Sequence, residues 1–294
     1  MKTRDLVELV RLPAALTVPG DSLAGAAAAG WPHGRRSWAL PAASACLYWA
    51  GMALNDYADR ELDRVERPER PIPSGRVRPA EALGVAAGLT AAGLIVAGLA
   101  GGRPALGGAV RVAGTAWAYD LLAKQTPAGP ACMAAARGLD VLLGAGSRWR
   151  EALPASAAVA VHTLGVTVLS RGEVHGAKPS GAYAALIATA AAASTAAVPQ
   201  SRRSRPAPSW RSRAVQWTGA GLAGVYATVV GRSQLQAAGS PDASTVRAAT
   251  GSGIRGVILL QSALAARSGS PGVAGGLLLA GPAARLASKV VSPT

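Results

Sequence analysis

An acidic cluster is the part of this chain whose residue types most directly suggest chemistry. Six of the fifteen acidic residues fall within fourteen positions: Asp56, Asp59, Glu61, Asp63, Glu66 and Glu69. Preceded by Asn55, three of them follow the pattern Asn-Asp-x-x-Asp-x-x-x-Asp. Positions i, i+3 and i+7 lie on one face of an α-helix. The spacing therefore predicts a helix end that carries three carboxylates and a carboxamide on the same side.

Two interpretations of this array follow from its chemistry. Hard oxygen ligands suit Mg²⁺, which keeps some of its waters and shares its remaining positions with phosphate groups, so a diphosphate is the natural partner. In the other interpretation the cluster is a solvated helix end, balanced by neighbouring basic side chains through pairs four residues apart. Those basic side chains are Arg60, Arg64, Arg67 and Arg70.

The segment that follows the cluster favours the first interpretation. Residues 67–76 read RPERPIPSGR. Together with the spacing of the acids, this resembles the first motif of the UbiA superfamily of intramembrane prenyltransferases, NDxxDxxxD followed by a stretch close to RPxRPIPSG. Both halves are unbroken and follow a second apolar stretch, and the order of spans and loops is similar over most of the chain.

The resemblance implies a fold and a set of roles. The fold is an all-α, polytopic transmembrane bundle of about nine helices around a central cavity, here one domain over residues 1–294. The implied donor is an allylic isoprenyl diphosphate held by Mg²⁺. The implied metal ligands are Asn55, Asp56, Asp59 and Asp63, and the implied diphosphate contacts are Arg67, Arg70 and Lys124. Lys124 lies in a Tyr-Asp…Lys…Thr-Pro segment similar to one in the family; alternatively, it is a loop charge that only orients the helices.

The second family motif is weaker in this chain. A DxxxD-like pair is expected after the sixth apolar stretch, and residues 171–178 read RGEVHGAK. Glu173 is the candidate ligand for a second Mg²⁺, with His175 as a ligand or acid/base, and Arg171 and Lys178 as substrate contacts. The alternative is an ordinary surface loop. Because this loop departs from the family pattern, the sequence leaves open whether a second Mg²⁺ binds. The altered motif resembles that of a divergent bacterial subgroup associated with secondary metabolism.

Two ionisable residues fall inside the fifth apolar stretch. Arg137 and Asp140 are three positions apart in the sequence Ala-Arg-Gly-Leu-Asp-Val. Ionisable residues within a membrane default to a functional or a paired role. Arg137 is therefore a candidate substrate contact, and the alternative is that the two residues neutralise one another.

The composition indicates a membrane protein. Of the 294 residues, 50% are hydrophobic and only 15% are charged, whereas soluble domains carry about 25% charged residues. This excludes disorder. The two cysteines lack CxxC spacing and the three histidines are scattered, so neither a disulfide framework nor a zinc site is predicted. The net charge of +15 is spread over short loops, which argues against nucleic-acid binding.

Apolar stretches divide the chain, and about 20 residues cross the ~30 Å hydrocarbon core. Ten are predicted: 12–29, 39–57, 80–100, 104–122, 129–146, 153–170, 181–198, 212–231, 248–266 and 271–288. Acidic residues in and before the first stretch favour a transmembrane helix over a signal peptide. An Ala-rich soluble bundle is the competing fold, but its helices would lack a polar stripe.

The orientation of the chain is read from its basic loops. With a cytoplasmic N-terminus, the loop that holds Arg60 to Arg78 is cytoplasmic, as the positive-inside rule requires. The basic loop at 201–213 would then lie outside, against that rule. The prediction is a multi-pass protein of the cell membrane with its active-site loops in the cytoplasm.

The function predicted from these features is transfer of an isoprenyl group from its diphosphate to a small acceptor. The acceptor is left open among aromatic rings, quinone precursors and polyols or cyclitols. The alternative is a non-catalytic membrane protein that binds, carries or scaffolds a prenylated metabolite. A CDP-alcohol phosphotransferase is excluded because its DGxxAR-type signature is absent.

Overall fold

The computed structural model describes residues 2–11, 19–30, 38–198 and 210–280. Within these ranges the chain forms helices and turns, without strands. The helices are α1 (Thr3–Leu9), α2 (Gly20–Ala28), α3 (Ala39–Ala58), α4 (Arg60–Glu66), α5 (Pro79–Ala118), α6 (Gly129–Ala145), α7 (Leu153–Ser170), α8 (Pro179–Ala197), α9 (Trp210–Gly239), α10 (Ala243–Arg267) and α11 (Pro271–Ala280). A π-helical turn at Tyr119–Ala123 extends α5, and a 3₁₀ segment at Gly146–Ala152 joins α6 to α7.

Local sequence signals account for many of the helix boundaries. Proline occupies the first or second position of α5, α6, α7 and α8, where its missing N–H costs nothing. Asp242 caps α10, because its Oδ1 accepts hydrogen bonds from the backbone N–H groups of Ser244 (2.9 Å) and Thr245 (3.0 Å). The hydroxyl groups of Ser244 and Thr245 also donate to this carboxylate (both 2.6 Å), and they are the main cause of the lowered pKa of Asp242.

The predicted apolar stretches are helical wherever the structure describes them. Stretches 80–100 and 104–122 are the two halves of α5, which breaks at Gly102, where φ is +63°. α6 ends at Gly146, where φ is +59°; an L-residue adopts such values only with strain. Parts of the first and last stretches, 12–18 and 281–288, lie outside the described residues. The count of nine spans stays a prediction.

Three helical stretches in the described part of the chain are both long and apolar enough to cross a membrane. They are Pro79–Ala123, Gly129–Ser170 and Pro179–Ala197, and the first two comprise 45 and 42 residues. Each of those two contains a pair of the predicted apolar stretches. The all-α membrane fold predicted from the sequence is thereby confirmed.

Successive helices pack side by side to form one bundle. α3 packs along α5, and from α5 to α10 each helix contacts the next one in the chain. α10 returns to α2, and α2 also packs on α6. The order brings the end of α3, the end of α5 and the start of α6 together around one internal space.

Small residues let α2 and α6 approach closely. A Cβ atom added to Gly25 would lie 1.7 Å from the carbonyl oxygen of Val141, and one added to Gly144 would lie 1.8 Å from that of Ser22. Close backbone contact at small residues is the usual packing mode of helices in lipid. This crossing holds α2, with Asp21 near its start, against the middle of the bundle.

Candidate functional site

The acidic motif lies where α3 passes into α4. α3 ends at Ala58, and Asp59 remains close to helical geometry, with φ −86° and ψ 2°. The backbone N–H of Asp59 donates to the carbonyl of Asn55 (2.9 Å), and that of Asp63 donates to the carbonyl of Asp59 (2.8 Å). The helical path is therefore nearly continuous, which keeps the three carboxylates on a common side as predicted.

Basic side chains from outside the motif's own helices contact these carboxylates. Arg70 Nη1 lies 2.5 Å from Asp63 Oδ2 and 3.4 Å from Asp56 Oδ1. Lys124 forms an ion pair with Asp59. Arg70 and Lys124 were both predicted to lie at the site, and the structure brings them to it. They reach the acids from the loop after α4 and from the segment after α5.

The burial of the motif explains why these partners are needed. Asp56 and Asp63 are only 4% and 3% exposed. A buried carboxylate is stable only when it is paired or binds a metal. The predicted alternative of local pairs four residues apart accounts for little here, because Arg60 and Arg64 both pair with the exposed Glu61, which is one and three residues away from them.

The loop after α4 is anchored by a further arginine. Arg76 donates to Asp5 (3.0 Å), to both oxygens of Glu8 (2.7 and 2.8 Å) and to the carbonyl of Glu69 (2.8 Å). The hydrogen bonds to Glu8 raise the pKa of Arg76. Arg67, the other predicted diphosphate contact of this loop, is exposed at the surface.

Two residues without a predicted role also reach the motif. Asn55 Nδ2 donates to Asp120 Oδ1 (3.0 Å), and Arg11 Nη2 lies 3.3 Å from Asp56 Oδ1. An acid inside an apolar stretch is a signal that could have pointed to Asp120. Arg11 lies 45 positions from Asp56, and no local pattern connects them.

A cavity of about 280 Å³ begins beside the motif. Asn55 and Asp120 line it near the motif, and Ser44 and Asp140 line it as well. Ser44 and Asn55 are eleven positions apart on α3, or ~16 Å at 1.5 Å per residue. The cavity thus runs along α3 into the bundle, between largely apolar walls that include Leu47, Met52, Val112, Ala116, Met133 and Ala136.

The two ionisable residues of the fifth apolar stretch each have a partner on another helix. Arg137 forms an ion pair with Asp21 on α2, with Nη2 at 3.1 Å from Oδ1, and Gln261 Nε2 donates to the same oxygen (2.7 Å). Asp140 accepts from Ser44 Oγ (2.8 Å). The alternative of simple mutual neutralisation is therefore insufficient, since each residue has its own partner across the bundle.

The weak second motif lies beside another cavity of about 280 Å³, formed by α6, α7 and α10. Glu173 lines it, and Tyr119, Met133 and Arg137 line both cavities. Arg137, predicted as a substrate contact, thus stands between the two spaces. The structure places Glu173 at this internal surface, and its role as a metal ligand stays a prediction.

The other predicted residues of the second motif are placed differently. Arg171 donates to the carbonyl of Thr126, which ties this loop to the Lys124 segment. His175 and Lys178 are exposed, and neither belongs to the lining of the two cavities. Lys178 directly precedes α8.

The donor set suits Mg²⁺ by its chemistry. Three carboxylates and a carboxamide offer hard oxygen atoms on one side of the α3–α4 junction, and Asp120 adds another nearby. Among the described residues, no three His, Cys, Asp or Glu side chains already converge on one metal position. The reason is visible in the ion pairs, since each acid of the motif is turned to a basic side chain.

The helical bundle and the acidic and basic cluster at the end of its cavity define a polytopic membrane protein with an internal polar site. The chain belongs to the UbiA prenyltransferase family, whose model matches residues 15–173. The family predicted from the motif is confirmed.

Curated relatives share short segments with this chain. Digeranylgeranylglyceryl phosphate synthase of Methanothrix thermoacetophila is 57% identical over 49 residues, which are 17% of this chain and 18% of that protein. The synthase of Ignicoccus hospitalis is 44% identical over 101 residues (34% and 33%), and that of Natronomonas pharaonis is 38% identical over 96 residues (32% and 35%). The matches therefore span about a third or less of these relatives. They are archaeal proteins, so the expected bacterial subgroup finds no support.

Solved structures show the same fold. A structure of digeranylgeranylglyceryl phosphate synthase superposes with a TM-score of 0.65 at 17% identity, covering 90% of this chain and 97% of that one. The apo structure of a UbiA homologue from Aeropyrum pernix superposes with a TM-score of 0.62 at 19% identity, covering 90% and 96%. At these identities the likeness establishes the fold.

Proposed function

We propose that this chain is an integral-membrane prenyltransferase that moves an isoprenyl group from an allylic diphosphate to a hydroxyl of a polyol-type acceptor. The observation that carries the proposal is the assembly of the α3–α4 acids with Arg70 and Lys124 at one end of an apolar-walled cavity. A diphosphate requires cations, an isoprenyl chain requires an apolar wall, and this arrangement supplies both.

The donor's diphosphate is assigned to the α3–α4 junction. Asn55, Asp56, Asp59 and Asp63 would hold Mg²⁺. When bound, the ion offsets the negative charge that grows on the diphosphate as the allylic C–O bond breaks. Arg70 and Lys124, already within this cluster, and the exposed Arg67 would donate hydrogen bonds to the diphosphate oxygens. Such charge-assisted bonds favour the departing anion over the intact ester.

The acceptor is assigned to the cavity beside that junction. Transfer breaks the C–O bond to the diphosphate, forms a new C–O bond to the acceptor oxygen and releases the hydroxyl proton. The apolar walls exclude water that would otherwise consume an allylic cation. The relatives are named for a glyceryl phosphate that carries two geranylgeranyl groups, which supports a glycerol-type acceptor and a C20 donor.

The loop after α7 completes the proposed site. Glu173 would assist in holding a second Mg²⁺ from the second cavity, and Arg137 would contact substrate where the two cavities meet. Arg171 would act indirectly, because its hydrogen bond to the carbonyl of Thr126 holds the segment that carries Lys124. His175 and Lys178 remain proposed contacts that a movement of their exposed loop would have to bring inward. Whether a second Mg²⁺ binds depends on Glu173.

We further propose that residues 1–294 form one domain, embedded in the cell membrane with the motif loops on the cytoplasmic side. The six arginines between Arg60 and Arg78 support that orientation through the positive-inside rule. Residues 201–209 of the competing basic loop lie outside the described residues, and no side chain of 201–213 is described.

Binding of geranylgeranyl diphosphate to the detergent-purified full chain tests the donor site. We expect binding that depends on Mg²⁺ and is lost when Asp56→Asn and Asp59→Asn are combined, because two ligand charges are removed. The matched control combines Glu61→Gln and Glu66→Gln, which removes two exposed charges from the same junction. Binding that is equal in both double variants would overturn the metal assignment.

Turnover tests the transferase itself. Incubation with geranylgeranyl diphosphate, Mg²⁺ and geranylgeranylglyceryl phosphate should yield a doubly prenylated product, detectable by mass spectrometry. A prenylated aromatic acid instead would move the acceptor to the quinone-precursor class. Bound diphosphate without any prenylated product across polyol and aromatic acceptors would favour the carrier function over the enzyme.

A further inference from the structure

The N-terminal helix brings a cation to the acidic motif from outside the motif's own sequence. Arg11 Nη2 lies 3.3 Å from Asp56 Oδ1, the same oxygen that Arg70 Nη1 approaches at 3.4 Å. One carboxylate oxygen is thus shared by two guanidinium groups. Arg70 also holds Asp63 at 2.5 Å, whereas Asp56 is the one acid for which Arg11 shows a contact.

This placement of Arg11 is held by packing on both halves of the motif. Leu9 is fully buried and belongs to the same apolar cluster as Leu54 of α3 and Ile72 and Val77 of the following loop. The ion pairs of Arg76 with the acids of α1 add a polar anchor a turn away. α1 is therefore docked so that the residue at its end meets the carboxylates.

The backbone and the exposure of Arg11 distinguish it from a passive partner. Its φ is +50°, and among the described residues it is the one non-glycine with a positive φ. Such a conformation costs free energy and is found preferentially at functional sites. Its side chain is 43% exposed, against 5% for Asp56, so the guanidinium lies at the open edge of the cluster.

We propose that Arg11 is a diphosphate-binding residue of this site. This inference rests on the proposed function. Asp56 would hold Mg²⁺, and the guanidinium of Arg11, no longer paired with that carboxylate, would donate to the oxygens of the incoming diphosphate. The planar fork of an arginine matches phosphate oxygens in pairs, and the exposed position lets it reach an anion that enters from outside the cluster.

The charge balance of the cluster supports this role. In the structure three carboxylates, Asp56, Asp59 and Asp63, face three basic groups: Arg11, Arg70 and Lys124. A divalent cation and a diphosphate that arrive together bring a net negative charge when one ion binds. All three basic groups are then needed to keep this partly buried site close to neutral.

The test measures binding of inorganic pyrophosphate and of geranylgeranyl diphosphate to the purified full chain at saturating Mg²⁺. Arg11→Gln should weaken both by about tenfold or more, the usual size of a lost charge-assisted hydrogen bond. Arg11→Lys should lose less affinity than Arg11→Gln, because lysine keeps the positive charge but lacks the planar guanidinium fork. Arg4→Gln is the matched control, since Arg4 is exposed on α1, the helix that precedes Arg11. This variant should bind both ligands as tightly as the wild type.

The outcomes separate this inference from the proposed function. If the wild-type chain binds neither ligand with Mg²⁺, the proposed function fails. If it binds and Arg11→Gln binds equally well, Arg11 has no part in the site and the inference is wrong. If Arg11→Gln binds more tightly, Arg11 competes with the metal for Asp56, which also overturns the inference. Thermal unfolding of each variant shows whether it is folded, and Arg11→Lys decides the question if Arg11→Gln is not.

Discussion

Asn55 Nδ2 donates a hydrogen bond of 3.0 Å to Asp120 Oδ1 and so joins two segments that are 65 residues apart. Asn55 begins the acidic motif on α3, and Asp120 lies in the π-helical turn that ends α5. With Asp120 accepting from Nδ2, the carbonyl oxygen of the Asn55 amide stays free for another partner. The bond therefore orients the carboxamide that the family motif assigns to Mg²⁺.

Substitution of Asp120 tests this orienting role. Asp120→Ala should weaken Mg²⁺-dependent binding of geranylgeranyl diphosphate by about two- to tenfold, since one hydrogen bond contributes about 0.5–1.5 kcal/mol. Asp120→Asn should retain most of the binding, because its carbonyl can still accept from Asn55. Calorimetric titration of both variants provides the measurement. If the Asn variant is as weak as the Ala variant, Asp120 acts through its charge and is itself a ligand.

The two acid/base candidates of the second motif should respond differently to substitution. Glu173→Gln should reduce prenyl transfer while leaving part of the donor affinity, because Glu173 lines an internal cavity. His175→Ala should leave prenyl transfer and donor affinity unchanged, because His175 is exposed. A loss of either would show that the exposed loop moves inward. Steady-state turnover and donor binding, measured side by side, check this pair. Wild-type turnover in Glu173→Gln would reduce Glu173 to a structural residue.

The ion pair between Arg137 and Asp21 should be important for stability. Asp21 is 2% exposed, so Arg137→Leu leaves a buried carboxylate without its cation, which typically costs about 3–5 kcal/mol. Asp21→Asn combined with Arg137→Leu should cost clearly less than the sum of the single changes. Thermal unfolding of the wild type, the two single variants and the double variant in detergent completes this double-mutant cycle. Additive single and double effects would show that the two side chains do not interact.

The crossing of α2 and α6 should tolerate no added methyl group. Gly144→Ala places a Cβ against the carbonyl of Ser22, and overpacking of this kind costs about 1–3 kcal/mol. Gly84→Ala is the control, because nothing lies within 4 Å of the added Cβ and alanine favours a helix. The thermal unfolding midpoint should fall for the first variant and hold or rise for the second. Equal unfolding midpoints for the two variants would mean that α2 and α6 can move apart to accommodate the added methyl group.

Hydropathy and short motifs predicted much of the architecture. The apolar stretches 80–100 and 104–122 emerged as separate halves of α5 because Gly102 breaks the helix between them, and glycine with proline nearby is a local signal. The family, too, was predictable, because the spacing of Asp56, Asp59 and Asp63 and the RPERPIPSG segment are contiguous in the chain.

Local signals did not predict the partners of the polar residues. The sequence places Arg137 next to Asp140, yet Arg137 pairs with Asp21, 116 positions away. It likewise suggests local arginine pairs for the motif acids, whereas Lys124 and Arg11 come from other segments. Ion pairs in a bundle depend on which helices become neighbours, and spacing within one helix carries no information on that.

The helical elements, the family and the oxygen-rich motif could be predicted from the sequence alone, because helix length, apolar composition and i, i+3, i+7 spacing are local properties of the chain. Helix packing sets which cations meet which carboxylates, joins Asn55 to Asp120, and places Arg137 between two cavities. These relations arise when helices distant in sequence pack together, since burial then requires each charged group to find a partner across the bundle.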